Sequence, residues 1–370
     1  MKQKRSLQAT SLFARQVVKQ LNGDQMKLAL SLGYSGARLD IPTQRILLAE
    51  RLGFHSVWTA EAYGSDAITP LAYLAGKTTK IKLGTAVIQV AARSAAAAAM
   101  AIGTLDSLAG GGRTICGVGV SGPQIVEGWY GEPWGKPYHR IKDYVNIMRK
   151  VFERNEPVTH QGREISLPFV GEGSTGLGKP LRSILHIDPD LPIWLGTGSE
   201  INVKLTGEIA DGWLPLNFVP GSMKTFQPWL EIGLARRADG RTLKDLDIFA
   251  RVPVKITGEI RQTLASYKPN IALYVGGMGH RHKNFHKDAM ILRGYSETAQ
   301  NVQDLYLAGR KTEAAEAIHD EYVDEMCLVG PKDRIKNRYL PWKASGATGL
   351  LVITDQEEAI DLMGSLSKED

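Results

Sequence analysis

The chain has 370 residues, 43% hydrophobic and 23% charged, values of a globular protein that exclude disorder as its overall state. A formal charge of +6 and a pI near 9.1 fit nucleic acid or a polyanionic small molecule, and no helix-turn-helix or RNA-binding signature supports the first. No apolar run approaches membrane-span length, and the two cysteines, Cys116 and Cys327, suit a reducing cytoplasm better than a disulfide framework.

Residues 1–25 precede the first strand signal. Leu12 to Leu21 is helix-compatible, basic and weakly amphipathic, and the segment reads as a poorly ordered extension rather than a membrane-surface helix. From Met26 onward strand and helix signals alternate. M-K-L-A-L-S-L (Met26 to Leu32) is the first strand, and Thr43 to Leu52 reads as a helix stopped by Gly53. The second strand ends at Thr59-Ala60-Glu61. The third, Lys80 to Val90, is apolar and β-branched, as a strand buried on both faces requires. Gly84, Thr85 and Ala86 interrupt its bulk, so the chain can bulge there or let a flat ligand lie against the backbone.

Ala95 to Leu108 is an alanine-rich helix that stops at Gly110-Gly111-Gly112, and Arg113 to Gln124 holds the fourth strand. Tyr138 to Phe152 is amphipathic. Strands follow at Ile193 to Gly196, Gly212 to Leu216, Ile248 to Ile256 and Leu350 to Ile353. Eight strands alternating with helices predict a single closed (β/α)8 TIM barrel over residues 26–370. The stretches 155–191 and 258–346 exceed ordinary connections, and in such a barrel they decorate the C-terminal face. The second contains helix signals around Glu297 to Ala308 and Thr312 to Glu325.

Three short patterns point elsewhere and fail on context. Gly117, Gly119 and Gly122 satisfy G-x-G-x-x-G, but Pro123 and a Gly- and Pro-rich loop follow where a dinucleotide fold opens a helix. Gly173 to Lys179 satisfies the phosphate-loop pattern up to Pro180, which stands in place of the Mg²⁺-binding hydroxyl and lacks an N–H. His280, His282 and His286 lie among Arg281, Lys283, Lys287 and Arg293, whose charges oppose a dication. The segment reads as a solvated basic loop, and no metal site is expected.

Longer stretches say more. S-G-P-Q-I-V-E-G-W-Y-G, G-E-G-S-T-G-L-G-K-P-L, A-D-G-W-L-P and A-L-Y-V-G-G-M-G accompany the strand ends K-I-K-L-G-T-A-V-I-Q-V and P-I-W-L-G-T-G. Together they resemble the luciferase-like (β/α)8 flavin and deazaflavin oxidoreductases. The closer likeness is to the coenzyme F420-dependent branch of actinobacteria, and it covers Met26 to about residue 355.

The resemblance implies F420 as cofactor, whose phosphodiester and oligoglutamate tail suit a basic chain. It implies hydride transfer between F420/F420H2 and an unsaturated or carbonyl/alcohol substrate. The alternatives are an FMN-dependent, O2-using monooxygenase on the same fold and a non-catalytic deazaflavin carrier. The resemblance also places a bulge with a non-proline cis peptide at Ala86–Val87, next to Thr85. Gly196, Thr197 and Gly198 are the expected phosphate cradle at a helix N-terminus, with a hydroxyl from Thr197. Val120, Ser121 and Gly122 are expected to line the cofactor through small side chains. Glu61, ending a barrel strand, is the expected proton donor, in a place where several relatives have histidine. Trp58, Trp129, Tyr130 and Trp134 are candidate walls of the substrate pocket. A cytoplasmic homodimer acting on a small molecule, without nucleic acid or membrane, completes the expectation.

Overall fold

In the computed structural model, residues 25–369 are described, so the extension expected at 1–25 lies, apart from Gln25, outside them. The strands are β1 (Lys27–Gly33), β2 (Ser56–Thr59), β3 (Lys82–Thr85), β4 (Ile88–Gln89), β5 (Thr114–Gly119), β6 (His160–Gln161) and β7 (Ser166–Leu167). They continue as β8 (Ile193–Thr197), β9 (Gly212–Pro215), β10 (Asp247–Ile256), β11 (Leu328–Gly330) and β12 (Gly349–Ile353). Eight of them pair in parallel in the order β1-β2-β3-β5-β8-β9-β10-β12, and β12 returns to β1 through Lys27↔Gly349. The predicted closed (β/α)8 barrel is therefore the observed one.

Large aromatics facing glycines fill the lumen. Trp58, Trp194 and Phe249 pack with Ala29, Ile115, Leu214 and Leu351. Trp58 and Trp194 lie 5.1 Å apart, and Trp194 meets Phe249 edge-on at 4.9 Å. A Cβ on Gly84 would sit 2.4 Å from the Trp58 ring; Gly212 and Gly349 stand in the same relation to Trp194 and Phe249. Gly84 is thus bare to admit an indole, and Trp58 is interior filling rather than a substrate wall. Its Nε1 donates to Ser56 Oγ at 2.6 Å, which satisfies the one polar atom it buries.

Helices cover the outside where the sequence places them. Helix Thr43–Leu52 stops at Gly53, whose φ of +86° suits a residue without Cβ. Helix Ala95–Leu108 starts at Ser94, whose Oγ accepts from Ala97 N at 3.3 Å, and ends before three glycines of positive φ.

Three departures matter. The third strand is not continuous but breaks between β3 and β4. The helix expected over Thr312 to Glu325 is two, Lys311–Glu316 and Asp320–Glu325, separated at the extended His319. Finally, β11 adds a parallel strand outside the barrel, pairing Val254 to Ile256 of β10 with Leu328 to Gly330. The insertion thereby anchors to the sheet and carries its own core around Tyr322, Val302 and Met290.

The N-terminal end of the barrel is charged. Lys27 Nζ lies 2.7 Å from Asp247 Oδ1. Just before β2, His55 packs edge-on to Phe249 at 5.4 Å, and its Nδ1 lies 3.0 Å from Ser56 Oγ. Burial first, then the charges of Lys82 and Lys27 against that of Asp247, push its pKa down to about 4. An unfolded chain protonates this ring near its ordinary 6.5 while the folded one does not, so stability falls as pH drops from about 6.5 to about 4. Urea midpoints of the wild type should therefore decline across this window more steeply than those of His55→Gln. Parallel slopes would mean that the folded ring takes up its proton freely.

Candidate active site

β3 pairs with β2 as far as Thr59↔Thr85. The peptide Ala86–Val87 that follows is cis, and pairing resumes beyond it as Ile88↔Val118 and Gln89↔Gly119. The break turns Val87 onto two neighbouring strands. A Cβ on Gly119 would lie 2.6 Å from Val87 Cγ2, and one on Gly196 would lie 2.8 Å from Cγ1. Gly117 would fare worse, since its Cβ would fall 1.8 Å from the Thr85 carbonyl oxygen. Thr85 Oγ1 also accepts from Gly117 N and donates to Gly117 O, both at 2.8 Å. Two of the three glycines that imitate a dinucleotide pattern, Gly117 and Gly119, are bare because the bulge of the adjoining strand fills their space.

Downstream of the break a clamp holds the chain. Glu61 has a side chain only 3% exposed. Its Oε1 accepts from Gln89 N at 2.7 Å and Arg93 Nη1 at 3.1 Å; its Oε2 accepts from Arg93 Nη2 at 3.0 Å and Ala67 N at 3.2 Å. Gln89 Nε2 returns a bond to Glu61 O at 2.8 Å. That bond orients the amide, leaving Gln89 Oε1 buried without a partner among the described residues. The expected proton donor is thus a bidentate partner of a guanidinium, with both oxygens already engaged.

The other expected residues sort by what they touch. Thr197 ends β8, but its hydroxyl lies 2.7 Å from Thr206 Oγ1 and is committed to helix Glu200–Ile209. Gly198 is bare because Leu216 Cβ would stand 2.9 Å from its Cβ. What this turn offers an anion is the backbone N–H groups that open that helix, ahead of Asn202, whose own N–H donates to Ser199 O at 3.0 Å. Asn202, in the same first turn, leaves its Oδ1 buried and unpartnered among the described residues.

After β5 come Val120, half-buried against the outer core, and Ser121, whose carbonyl accepts from Trp134 Nε1 at 3.0 Å. A Cβ on Gly122 would sit 3.3 Å from Met278 O of the insertion. Tyr130 OH donates to Ala62 O at 3.3 Å, while Trp129 is 61% exposed and turned to solvent. Of the four aromatics proposed as walls, Tyr130 and Trp134 remain beside the site; Trp58 and Trp129 do not.

The insertion closes the mouth. Tyr34, after β1, shares a hydrogen bond at 3.1 Å with Tyr274 OH. Gly276 and Gly277 admit the Tyr306 ring, and Gly279 admits Asn284. Asn284 is buried, accepts from His286 N and Lys287 N as a helix cap, and donates to Tyr274 O and Val275 O. The His-rich segment is therefore not wholly a solvated loop. His286 packs 4.6 Å from Tyr274, and Lys283 Nζ stands 3.9 Å above the Trp134 ring.

A cavity of about 860 Å³ opens at the strand C-termini between β1, β9, β10 and β12 and the insertion. None of the expected cofactor residues lines it; Leu216, packed on Gly198, is where it meets their side of the barrel. Arg251, which lines it, was not anticipated, and neither were the partners Arg93 and Gln89. A charged residue within an apolar strand and one just after a strand end were the available signals.

A parallel eight-stranded barrel whose third strand breaks beside its mouth defines the class: the chain belongs to the luciferase-like monooxygenase family, whose pattern matches residues 26–349. It is 45% identical over 346 residues to a Mycobacterium tuberculosis protein assigned provisionally as a coenzyme F420-dependent oxidoreductase, covering 92% of this chain and 99% of that one. It is 27% identical to 5,10-methylenetetrahydromethanopterin reductase of Archaeoglobus fulgidus, over 86% and 92% of the two chains. The fold matches that of the coenzyme F420-dependent tetrahydromethanopterin reductase of Methanopyrus kandleri, with a TM-score of 0.72 at 23% identity over 92% and 97% of the chains.

The Glu61 clamp has a measurable consequence. In Glu61→Gln the half-buried Arg93 loses its counter-charge, and stability should fall by roughly 3 kcal/mol, the lower end for breaking such a pair. Glu61→Gln combined with Arg93→Gln should recover part of this loss in urea unfolding. A Glu61→Gln protein of unchanged stability but slowed turnover would return the residue to the role of proton donor.

Proposed function

We propose that this chain is an F420-dependent oxidoreductase of the luciferase-like family, transferring a hydride between F420/F420H2 and an unsaturated or carbonyl/alcohol compound. The observation that carries the reading is Val87, held inward between the bare Gly119 and Gly196, in a chain 45% identical to a protein assigned to that chemistry. When bound, reduced F420 would supply a hydride to an electrophilic carbon, with the accompanying proton made available by its own oxidation.

The residues fit such a group. The bulge of Thr85, Ala86 and Val87 supports one face of a flat ring. Gln89 Oε1, buried and unpartnered beside it, is an acceptor suited to a ring N–H. Val120, Ser121 and Gly122 border the ring. The turn Gly196-Thr197-Gly198 presents backbone N–H groups to the phosphodiester, with Thr197 acting through the backbone since its hydroxyl is engaged. Glu61 fixes Arg93 and the strand beyond the bulge and so acts as a positioning residue.

Titration with F420 and with FMN, followed by fluorescence, tests the cofactor. F420 should bind and FMN should not. Tight FMN binding alone would favour the monooxygenase, and F420 binding without oxidation of F420H2 across a broad substrate panel would favour a carrier. In the same assay Asn202→Asp keeps the shape of the turn and adds a negative charge to it. F420 affinity should fall about fivefold at low salt, roughly 1 kcal/mol, with no loss of melting temperature. Unchanged affinity would place the phosphodiester elsewhere.

We also infer a cytoplasmic homodimer. Both cysteines are buried and free, and burial pushes each thiol up to about 12. No helix among the described residues is long and apolar enough to cross a membrane. The arm before β8 exposes Phe169, Val170, Leu177, Leu181 and Ile184, the last three at 80, 80 and 93%. An apolar run of this kind suits burial against a second copy. Sedimentation at micromolar concentration should show a dimer that Leu181→Asp with Ile184→Asp converts to monomer. A monomeric wild type would refute the dimer.

A further inference from the structure

Among the described cations that line the cavity, Arg251 alone lacks a partner. It lies on β10 two residues above Phe249, so by strand alternation it points into the lumen one layer above the aromatic floor. It lines the 860 Å³ cavity and is open to it, yet among the described residues it has no hydrogen bond and no carboxylate within ion-pair distance. The other cations lining that cavity are engaged: Arg45 donates to Thr354 O at 3.1 Å and Lys255 pairs with Asp355 at 2.8 Å. Asp40 also lines the cavity, exposed and beyond ion-pair reach of Arg251. A guanidinium that faces a cavity without a counter-charge is where an anion gains most.

Its position in the ring of strands adds to this. β3 is the third barrel strand and β10 the seventh of eight, so the bulge and Arg251 stand on opposite sides of the mouth. Around Arg251 the cavity wall is largely apolar, with Leu32, Leu216, Phe218, Val254 and Ile353. Tyr34 and Tyr274, joined OH to OH, are near enough to feel its charge. Burial and that hydrogen bond push the Tyr34 phenol up to about 12, so it remains a neutral hydroxyl. His286, pushed by burial down to about 4, adds no second cation at neutral pH.

We propose that Arg251 is an anion-binding, specificity-determining residue, and that the substrate is an organic carboxylate with an apolar body, its acid group on the guanidinium and its electrophilic carbon toward the bulge. The proposal rests on the F420 reading for the second half of that placement. Arginine matches a carboxylate bidentately, and the apolar wall suits the rest of the molecule.

The test uses equilibrium binding to the protein loaded with oxidised F420, which cannot donate hydride. Crotonate, cinnamate and their methyl esters are titrated calorimetrically into wild type, Arg251→Met and Arg251→Lys. The wild type should bind each acid at least tenfold more tightly than its ester. Arg251→Met should lose at least tenfold for the acids, with ester and F420 affinities unchanged; Arg251→Lys should fall between. A wild type without anion preference, or a preference that survives in Arg251→Met, overturns the proposal. A tenfold loss of F420 affinity in Arg251→Met also overturns it, by giving the guanidinium to the cofactor's own anion. Failure of F420 to bind the wild type appears before any acid is added and counts against the cofactor reading. The same titrations on the cofactor-free protein then decide Arg251 separately.

Discussion

The mouth of this barrel depends on one break in its third strand. A strand inside a parallel barrel has neighbours on both sides, so a residue turned out of register must find room among them. Here that room lies on one side, from Gly117 and Gly119 on the adjoining β5 and from Gly196 on β8, the strand beyond it. Replace any of them by a residue with a side chain and Thr85 or Val87 has nowhere to lie. The site is thus assembled from three strands, and its shape is set by atoms that are missing as much as by atoms present.

The break also needs an anchor on its far side, which Glu61 supplies. One carboxylate receives the backbone of Gln89, the backbone of Ala67 and the fork of Arg93. These bonds tie the second-strand loop, the resumed third strand and the start of the next helix into one unit. Charge-assisted bonds in a buried setting hold geometry well, which a wedge beneath a flat ligand requires. The insertion after β10 works differently. It reaches the mouth through Tyr274, Asn284 and Tyr306 and is held to the barrel edge by β11, so it is a lid built on a sheet extension rather than a loose loop.

The barrel, the helix after the first strand and the glycine-terminated third helix were legible because period and punctuation agree there. The bulge was legible in place, through the run of small residues, though its fit onto Gly119 and Gly196 is a contact between strands that no local pattern encodes. Thr197 and Glu61 show the limit more sharply. A hydroxyl at a helix N-terminus and a carboxyl at a strand end both look available in sequence; their partners, Thr206 and Arg93, lie nine and thirty-two residues away. Trp58 departs from expectation for the same reason: an indole that fills a barrel and one that walls a pocket share every local feature. Arg251 escaped notice inside a run otherwise typical of a buried strand.

The arginines separate structure from function within one chain. Arg113 donates to the carbonyls of Thr78, Ile81 and Ala109 and to the Thr78 hydroxyl, tying the loop before β3 to the end of helix Ala95–Leu108. Arg93 is matched by Glu61, and Arg149 and Arg241 share Asp211 beneath the barrel. In each case the fold supplies the acceptors, so the charge is used up in holding the chain. Arg251, which faces the cavity, receives none from the described residues. Desolvating a guanidinium without a partner is unfavourable, and burial does push its pKa down. A chain that satisfies the other cations lining this cavity and leaves this one open keeps it for something that arrives from outside. The formal charge of +6 then acts at long range, drawing anions toward a basic protein, while the unmatched group at the mouth selects among them at contact.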